Sequence, residues 1–189
     1  LDAFTAAEQL ARFTPVDVAE ETVRAASREI ASRYPGLQVS AVVGDFTLHL
    51  AHLPKEGRRL VAFLGGTVGN LYEEERSAFL GALADQLQPG DSLLLGTDLV
   101  KNQDRLIAAY DDEAGVTAAF IRNSLTVLNR ELGADFDAAA FSYVPFWDPH
   151  MERMDLRLRS EVPQRVTIPG ADLVVELAAG EEIRVEIST

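Results

Sequence analysis

The sequence predicts an α/β protein: a parallel sheet of the doubly wound type over residues 1–101, followed by a second, α+β lobe over residues 102–189. Up to Lys101, short β-rich apolar runs alternate with amphipathic helical stretches, the pattern of βαβ units. Two of those runs open into polar or glycine-containing turns, which is where open α/β sheets bind ligands. Beyond Lys101 two helical stretches lead into alternating strands separated by Pro and Gly, the pattern of antiparallel pairing in a separate layer.

Residues 1–10 read as a helix, and residues 13–18 (FTPVDV) as the first strand. Residues 19–32 follow as a helix, with Val23, Ala26 and Ile30 near helical spacing and Glu20 and Glu21 at its positively polarised end. Pro35-Gly36 ends it. Residues 39–43 lead into Gly44-Asp45-Phe46, and residues 59–64 into Gly65-Gly66-Thr67-Val68-Gly69-Asn70, so each strand delivers a turn. A second helix over 73–88 carries Phe79, Leu80, Leu83 and Leu87 on one side and stops at Pro89-Gly90-Asp91. Residues 91–99 (DSLLLGTDL) form a nearly continuous apolar run, expected as a strand buried on both faces. Helices are expected over 103–110 and 115–132. In the tail, Leu156, Leu158 and Ser160 alternate with Arg157 and Arg159, and Val166 with Ile168, residues 173–177 and residues 183–187 give further strands. Turns at Pro163, Pro169-Gly170 and Ala179-Gly180 separate them.

At 189 residues and 47% hydrophobic side chains, the chain has enough apolar material for one sizeable core or two modest ones. No run reaches the roughly 18–20 apolar residues of a membrane span, and the first residues lack a signal-peptide pattern. A soluble, cytoplasmic protein and a monomer are expected. Without cysteine, disulfides, thiolate metal sites and cysteine nucleophiles are excluded. A net charge of −13 repels phosphate backbones and anionic membranes, so no nucleic-acid or membrane partner is expected and a small, amine-bearing substrate suits the chain better. The start at Leu1 suggests an incomplete or processed polypeptide.

Asp17 is placed where an acid at the end of a strand accepts hydrogen bonds from both ribose hydroxyls. Its bland alternative is a cap for the helix that follows. Asp45, with Phe46, is placed to take the exocyclic amine of an adenine; the alternative is a turn with a buried aromatic. The pair points to an adenosyl cofactor but leaves NAD and S-adenosylmethionine both open. The glycine-rich turn that separates them is not in this sequence.

Taken in order, PVDV (15–18), GDF (44–46), FLGGTVGN (63–70), LLLGTDLVK (93–101), AAYDDEAGVTAAFIRN (108–123), LNRELGADFD (128–137) and EIST (186–189) resemble the histidine Nα-methyltransferases of ergothioneine biosynthesis. These are class I methyltransferases with a Rossmann-like sheet that use S-adenosyl-L-methionine. LGTDLVK closely followed by AYDDEAGVTAAF is the specific part; PVDV and GDF are generic. The resemblance implies that L-histidine is trimethylated to hercynine. It implies that Asp17 binds the ribose and that Asp45 and Phe46 hold the adenine. Asn70 holds the α-amino end of the substrate, and is the residue nearest to a catalytic one, beside a backbone wall from Gly65 and Thr67. Tyr110 meets the substrate carboxylate, and Glu186 and Ser188 hydrogen-bond the imidazole. Independently of the family, a carboxylate and a hydroxyl two residues apart share one face of a strand and can engage both ring nitrogens. The family's N-terminal lobe and glycine-rich loop, and its last strands beyond Thr189, are absent from this sequence, and Gly66 stands where related sequences more often carry a small hydroxyl residue.

Each residue also has a bland reading: a left-handed turn for Asn70, a core aromatic for Tyr110, the solvent face of an edge strand for Glu186 and Ser188. His49 and His52 sit at i, i+3 with no third ligand nearby, and Asp111-Asp112-Glu113 reads as a helix-terminal cluster, so no metal is expected. No nucleophile elbow or P-loop occurs. An NAD-dependent oxidoreductase and a non-catalytic adenosyl-binding or oligomerisation module remain as alternatives, as does another amino acid or amine as acceptor.

Overall fold

Pro15 has no N–H to give, and that absence divides the first sheet ladder of the chain. In the computed structural model, which describes residues 1–189, the runs near 11–17 and 38–44 lie in parallel. The N–H groups of Gln38, Ser40, Val42 and Gly44 donate in turn to the carbonyls of Ala11, Phe13, Pro15 and Asp17. The return bond at Pro15 cannot form. The ladder therefore splits into β1 (Arg12–Phe13) with β3 (Gln38–Val39), and β2 (Val16–Asp17) with β4 (Val42–Val43). The two longer strands expected here are thus four short ones.

The chain forms two compact units, Leu1–Ala62 with Glu73–Leu94, and Phe63–Tyr72 with Leu95–Thr189. Unit 1 opens with α1 (Asp2–Ala6), shorter than the expected helix because the backbone leaves helical space at Glu8, with φ +53°. α2 (Glu20–Arg33) buries Val23, and α3 (Glu73–Gln86) buries Phe79 and Leu83. Leu50, in the 3₁₀ turn Leu50–His52, is also buried. β5 (Leu60–Phe63) pairs with β6 (Ser92–Leu95). At the start of this pair Arg59 and Asp91 form a closed strap. The Asp91 carboxylate accepts the Arg59 N–H at 2.7 Å, its Nε at 2.8 Å and the Gln88 N–H at 2.9 Å, while the guanidinium also donates to the Gln86 carbonyl.

β6 corrects one expectation. Every residue of the strand is exposed, Leu94 at 49%, rather than buried on both faces. The strand has a single hydrogen-bonded neighbour, so its apolar run is not enclosed by a sheet on either side.

Unit 2 holds the larger core. β8 (Arg153–Ser160) is the centre of a three-stranded antiparallel sheet, with β7 (Phe141–Asp148) on one side and β11 (Glu182–Ser188) on the other. β9 (Gln164–Ile168) and β10 (Leu173–Leu177) form an antiparallel hairpin. The tail is therefore antiparallel as its alternation predicts, with β7 as a strand the sequence reading missed. α4 (Gln103–Tyr110) and α5 (Val116–Leu132) pack on one face of these strands. Leu106, Ile121 and Leu125 from the helices meet Met154, Leu156, Leu158, Val166 and Phe141 in one cluster. The other face is ionic: buried Asp155 takes Arg157 at 2.9 Å and Arg184 at 2.8 Å, and Arg157 and Arg159 reach Glu182. No helix is long and apolar enough to cross a membrane.

Candidate functional site

The two acids expected to meet a cofactor lie in unit 1. Asp17 pairs in register with Val43, and Asp45 follows two residues later, so both carboxylates stand at the carboxyl ends of adjacent parallel strands. Asp17 Oδ1 accepts the Ala19 N–H at 2.9 Å, guiding the chain into α2; its second oxygen remains an open acceptor. Asp45 Oδ1 accepts the Thr47 hydroxyl at 2.6 Å and the Thr47 N–H at 2.7 Å, which together hold its carboxyl below the usual range. The Phe46 ring meets Phe79 edge to face at 5.3 Å between centroids. The turn-forming reading holds for both acids, each of which shapes a turn with one oxygen. Acceptor-only carboxylates at two neighbouring strand ends, one beside an aromatic, are chemically matched to the hydroxyls and exocyclic amine of an adenosyl group.

In unit 2 the structure brings together Asn70, Tyr110, Glu186 and Ser188 with Gly65, around a cleft of about 480 Å³, a size usual for small-molecule sites. Three local features bring them there. Gly65 and Gly66 both take left-handed backbone, with φ +87° and +75°, and turn the chain from β5 into the 3₁₀ turn Thr67–Asn70. A hydroxyl residue at Gly66 would be strained in that conformation. Thr67 opens this turn and is not among the lining residues.

The second feature is a β-bulge. Along β11 the register runs Ile183 with Leu158 and Arg184 with Arg157, then skips Val185 and continues Glu186 with Leu156, Ile187 with Asp155, Ser188 with Met154. Plain alternation would place Glu186 and Ser188 on the ionic face with Arg184. The extra residue moves them to the face of Leu156 and Met154, where α4 lies, and sends Ile187 to the side of Asp155. Glu186 and Ser188 thereby share a face, as two-residue spacing predicts, but that face is not the solvent side of the strand.

The third feature is the meeting of strand end and turn. The Thr189 N–H donates to the Gly69 carbonyl at 3.0 Å, bringing the TVGN turn against β11. Asn70 Nδ2 then donates to Glu186 Oε1 at 3.2 Å, leaving its amide oxygen as an acceptor. Burial pushes the Glu186 carboxyl up, and the Asn70 hydrogen bond opposes it. The Tyr110 and Ser188 hydroxyls are 2.6 Å apart. Each hydroxyl keeps capacity for a further bond.

Gly96, Thr97 and Asp98 also line the cleft and were given no role from sequence. Their signal was present, since a glycine turn after an apolar strand is the same pattern as GGTVGN. A Cβ at Gly96 would lie 3.3 Å from Leu64 Cα, so glycine there permits close approach of two strand ends. The Lys101 ammonium, 2.7 Å away, holds the Asp98 carboxyl below its usual range. His49 uses Nδ1 on the Asp45 carbonyl at 3.0 Å, and its ring lies 5.8 Å from that of His52.

Comparison with known proteins gives the family of the chain. The family described as histidine-specific methyltransferase, SAM-dependent, matches residues 1–189. The chain belongs to that family. Histidine-specific methyltransferases of this family depend on S-adenosylmethionine, so NAD is set aside. A histidine N-alpha-methyltransferase of Mycolicibacterium smegmatis is 55% identical over all of this chain, and one of Mycobacterium tuberculosis is 50% identical. The chain spans 59% of the length of each. An ergothioneine biosynthesis protein 1 of Schizosaccharomyces pombe is 27% identical over 86% of the chain, which covers 22% of that protein.

Proposed function

We propose that the complete enzyme methylates the α-amino group of L-histidine, in three successive transfers, to hercynine, within ergothioneine biosynthesis in the cytoplasm. The observation that carries this is the grouping of Asn70, Tyr110, Glu186 and Ser188 around one cleft, with the bulge turning a carboxylate and a hydroxyl to the same side. An imidazole offers one N–H and one bare nitrogen in its neutral form. Glu186 accepts the first; substrate replaces the Tyr110–Ser188 hydrogen bond, so that the Ser188 hydroxyl donates to the second while the Tyr110 hydroxyl donates to the substrate carboxylate. An acceptor and a donor on one face of the same strand reject side chains lacking either group, because a half-buried polar partner would be left unpaired.

S-adenosylmethionine, when bound, supplies an electrophilic methyl group. Asp17 would hold its ribose, and Asp45 with Phe46 its adenine. The parallel pairs β1/β3, β2/β4 and β5/β6 are then parts of one Rossmann-like sheet. At the substrate end, the chain's contribution is positioning and exclusion of water, since a direct displacement needs the nitrogen lone pair aimed at the methyl carbon. The amine reacts in its neutral form. In the first two transfers, while the neutral amine still carries a hydrogen, the uncharged Asn70 amide oxygen accepts it, and Gly65 keeps that wall of the site free of side chains.

Calorimetric titration of the full-length protein with S-adenosylhomocysteine, then with a panel of amino acids, tests this. Histidine should bind tightest. Glu186→Ala should weaken histidine by about 10- to 100-fold with cofactor affinity unchanged, as expected for loss of a charged hydrogen-bond partner. Asp17→Ala should do the reverse. Unchanged histidine affinity in the Glu186 variant refutes the assignment.

A further inference from the structure

The last carbonyls of a helix have no partner within it, and how they are satisfied fixes where the final residue points. α4 ends at Tyr110, whose side chain stands 2.6 Å from Ser188 in the cleft. Its carbonyl accepts the hydroxyl of Tyr143 at 2.8 Å. Tyr143 lies on β7, opposite Leu158, and packs with the core cluster. Burial foremost, and then the negative charges of Asp111, Glu186 and Asp112, push its phenol up to about 12, so it remains a donor through the physiological range. We propose that Tyr143 is a positioning residue of the substrate site: by capping the end of α4 it sets the height of the Tyr110 hydroxyl against Ser188, and with it the reach of both to the substrate. This rests on the reading of Tyr110 and Ser188 as substrate-binding groups.

The geometry separates this role from packing alone. The Tyr143 ring contributes to the core, whereas its hydroxyl has one protein partner in the structure, the Tyr110 carbonyl. Tyr143→Phe keeps the ring and removes only that bond. In the full-length enzyme with S-adenosylmethionine, this variant should raise KM for histidine about three- to tenfold, the loss of roughly one hydrogen bond's worth of alignment, with kcat little changed. The Kd for S-adenosylhomocysteine should not move. In a Tyr110→Phe background the same change should have almost no further effect on KM, because the hydroxyl it positions is gone.

Full additivity of the two substitutions, or an unchanged KM in the single variant, overturns the proposal. The cycle reads coupling even if stability falls, since each variant is compared with its own parent. If histidine is not the preferred ligand, the functional reading fails instead, and the same cycle run on the amino acid bound tightest still decides the role of Tyr143.

Discussion

Gly69 has no room for a side chain. A Cβ there would lie 2.6 Å from the Thr189 carbonyl oxygen and 3.1 Å from its nitrogen, both backbone atoms that cannot swing aside. The turn and the end of β11 would have to part, and the Asn70–Glu186 bond at 3.2 Å would open with them. On the proposed function, Gly69→Ala should therefore weaken histidine binding by about tenfold or more while leaving cofactor affinity unchanged, in the same calorimetric titrations of the full-length protein. Equal histidine affinity in the variant would show that the turn can shift without moving Asn70. That Asn70, Tyr110, Glu186 and Ser188 belong together was legible in the sequence because their types and order match a known pattern, and the structure groups them around one cleft. Gly69 and Tyr143 were not: one matters through what it lacks, the other through a helix end it reaches from a different strand.

Helices were legible as elements because their periodicity is local. α2, α4 and α5 lie within a residue or two of the expected positions, and α3 stops two residues short, at Gln86. Strands depend on partners. Pro15 interrupts its ladder only because of what lies beside it, and the skipped Val185 is defined only against β8. The Arg59–Asp91 strap is likewise an element-scale device, joining the starts of β5 and β6. The Arg59 guanidinium first, then the Gln88 and Arg59 N–H groups, bring the Asp91 carboxyl down to about 2 from an ordinary 3.8. A carboxyl lowered on folding binds fewer protons folded than unfolded. Its stabilisation is complete above the ordinary value and is lost as pH falls through 3.8 toward 2. Asp91→Asn should lower the melting temperature at neutral pH and flatten the dependence of the denaturation midpoint on pH in that acid window. If wild type and variant fall in parallel there, the strap is not the source of the acid sensitivity.

At the scale of the whole molecule, the question is which apolar strand forms a core, and hydrophobicity alone does not answer it. Leu94 lies in the more continuous apolar run, yet is 49% exposed; Leu158 alternates with arginines, yet is fully buried. The difference is the number of layers. β8 has a strand on each side, and one of its faces is covered by α4 and α5, so Leu158 stands between Tyr143 and Ile183 beneath two helices. β6 has one partner strand. In this 189-residue chain, Leu158→Ala should thus cost about 2–5 kcal/mol, the transfer energy of the lost atoms plus the cavity they leave, and a Leu94→Ala change about 0.5 kcal/mol or less. Because Tyr143 and Ile183 flank Leu158, the same cavity sits under the strands that carry the Tyr110 cap and the Glu186 bulge. Chemical denaturation of both variants checks the stability order, and histidine titration well below their melting points checks the link to the site. A Leu94 variant as damaged as the Leu158 variant would mean that the apolar run of β6, and not the two-layered centre of the antiparallel sheet, is what the fold depends on.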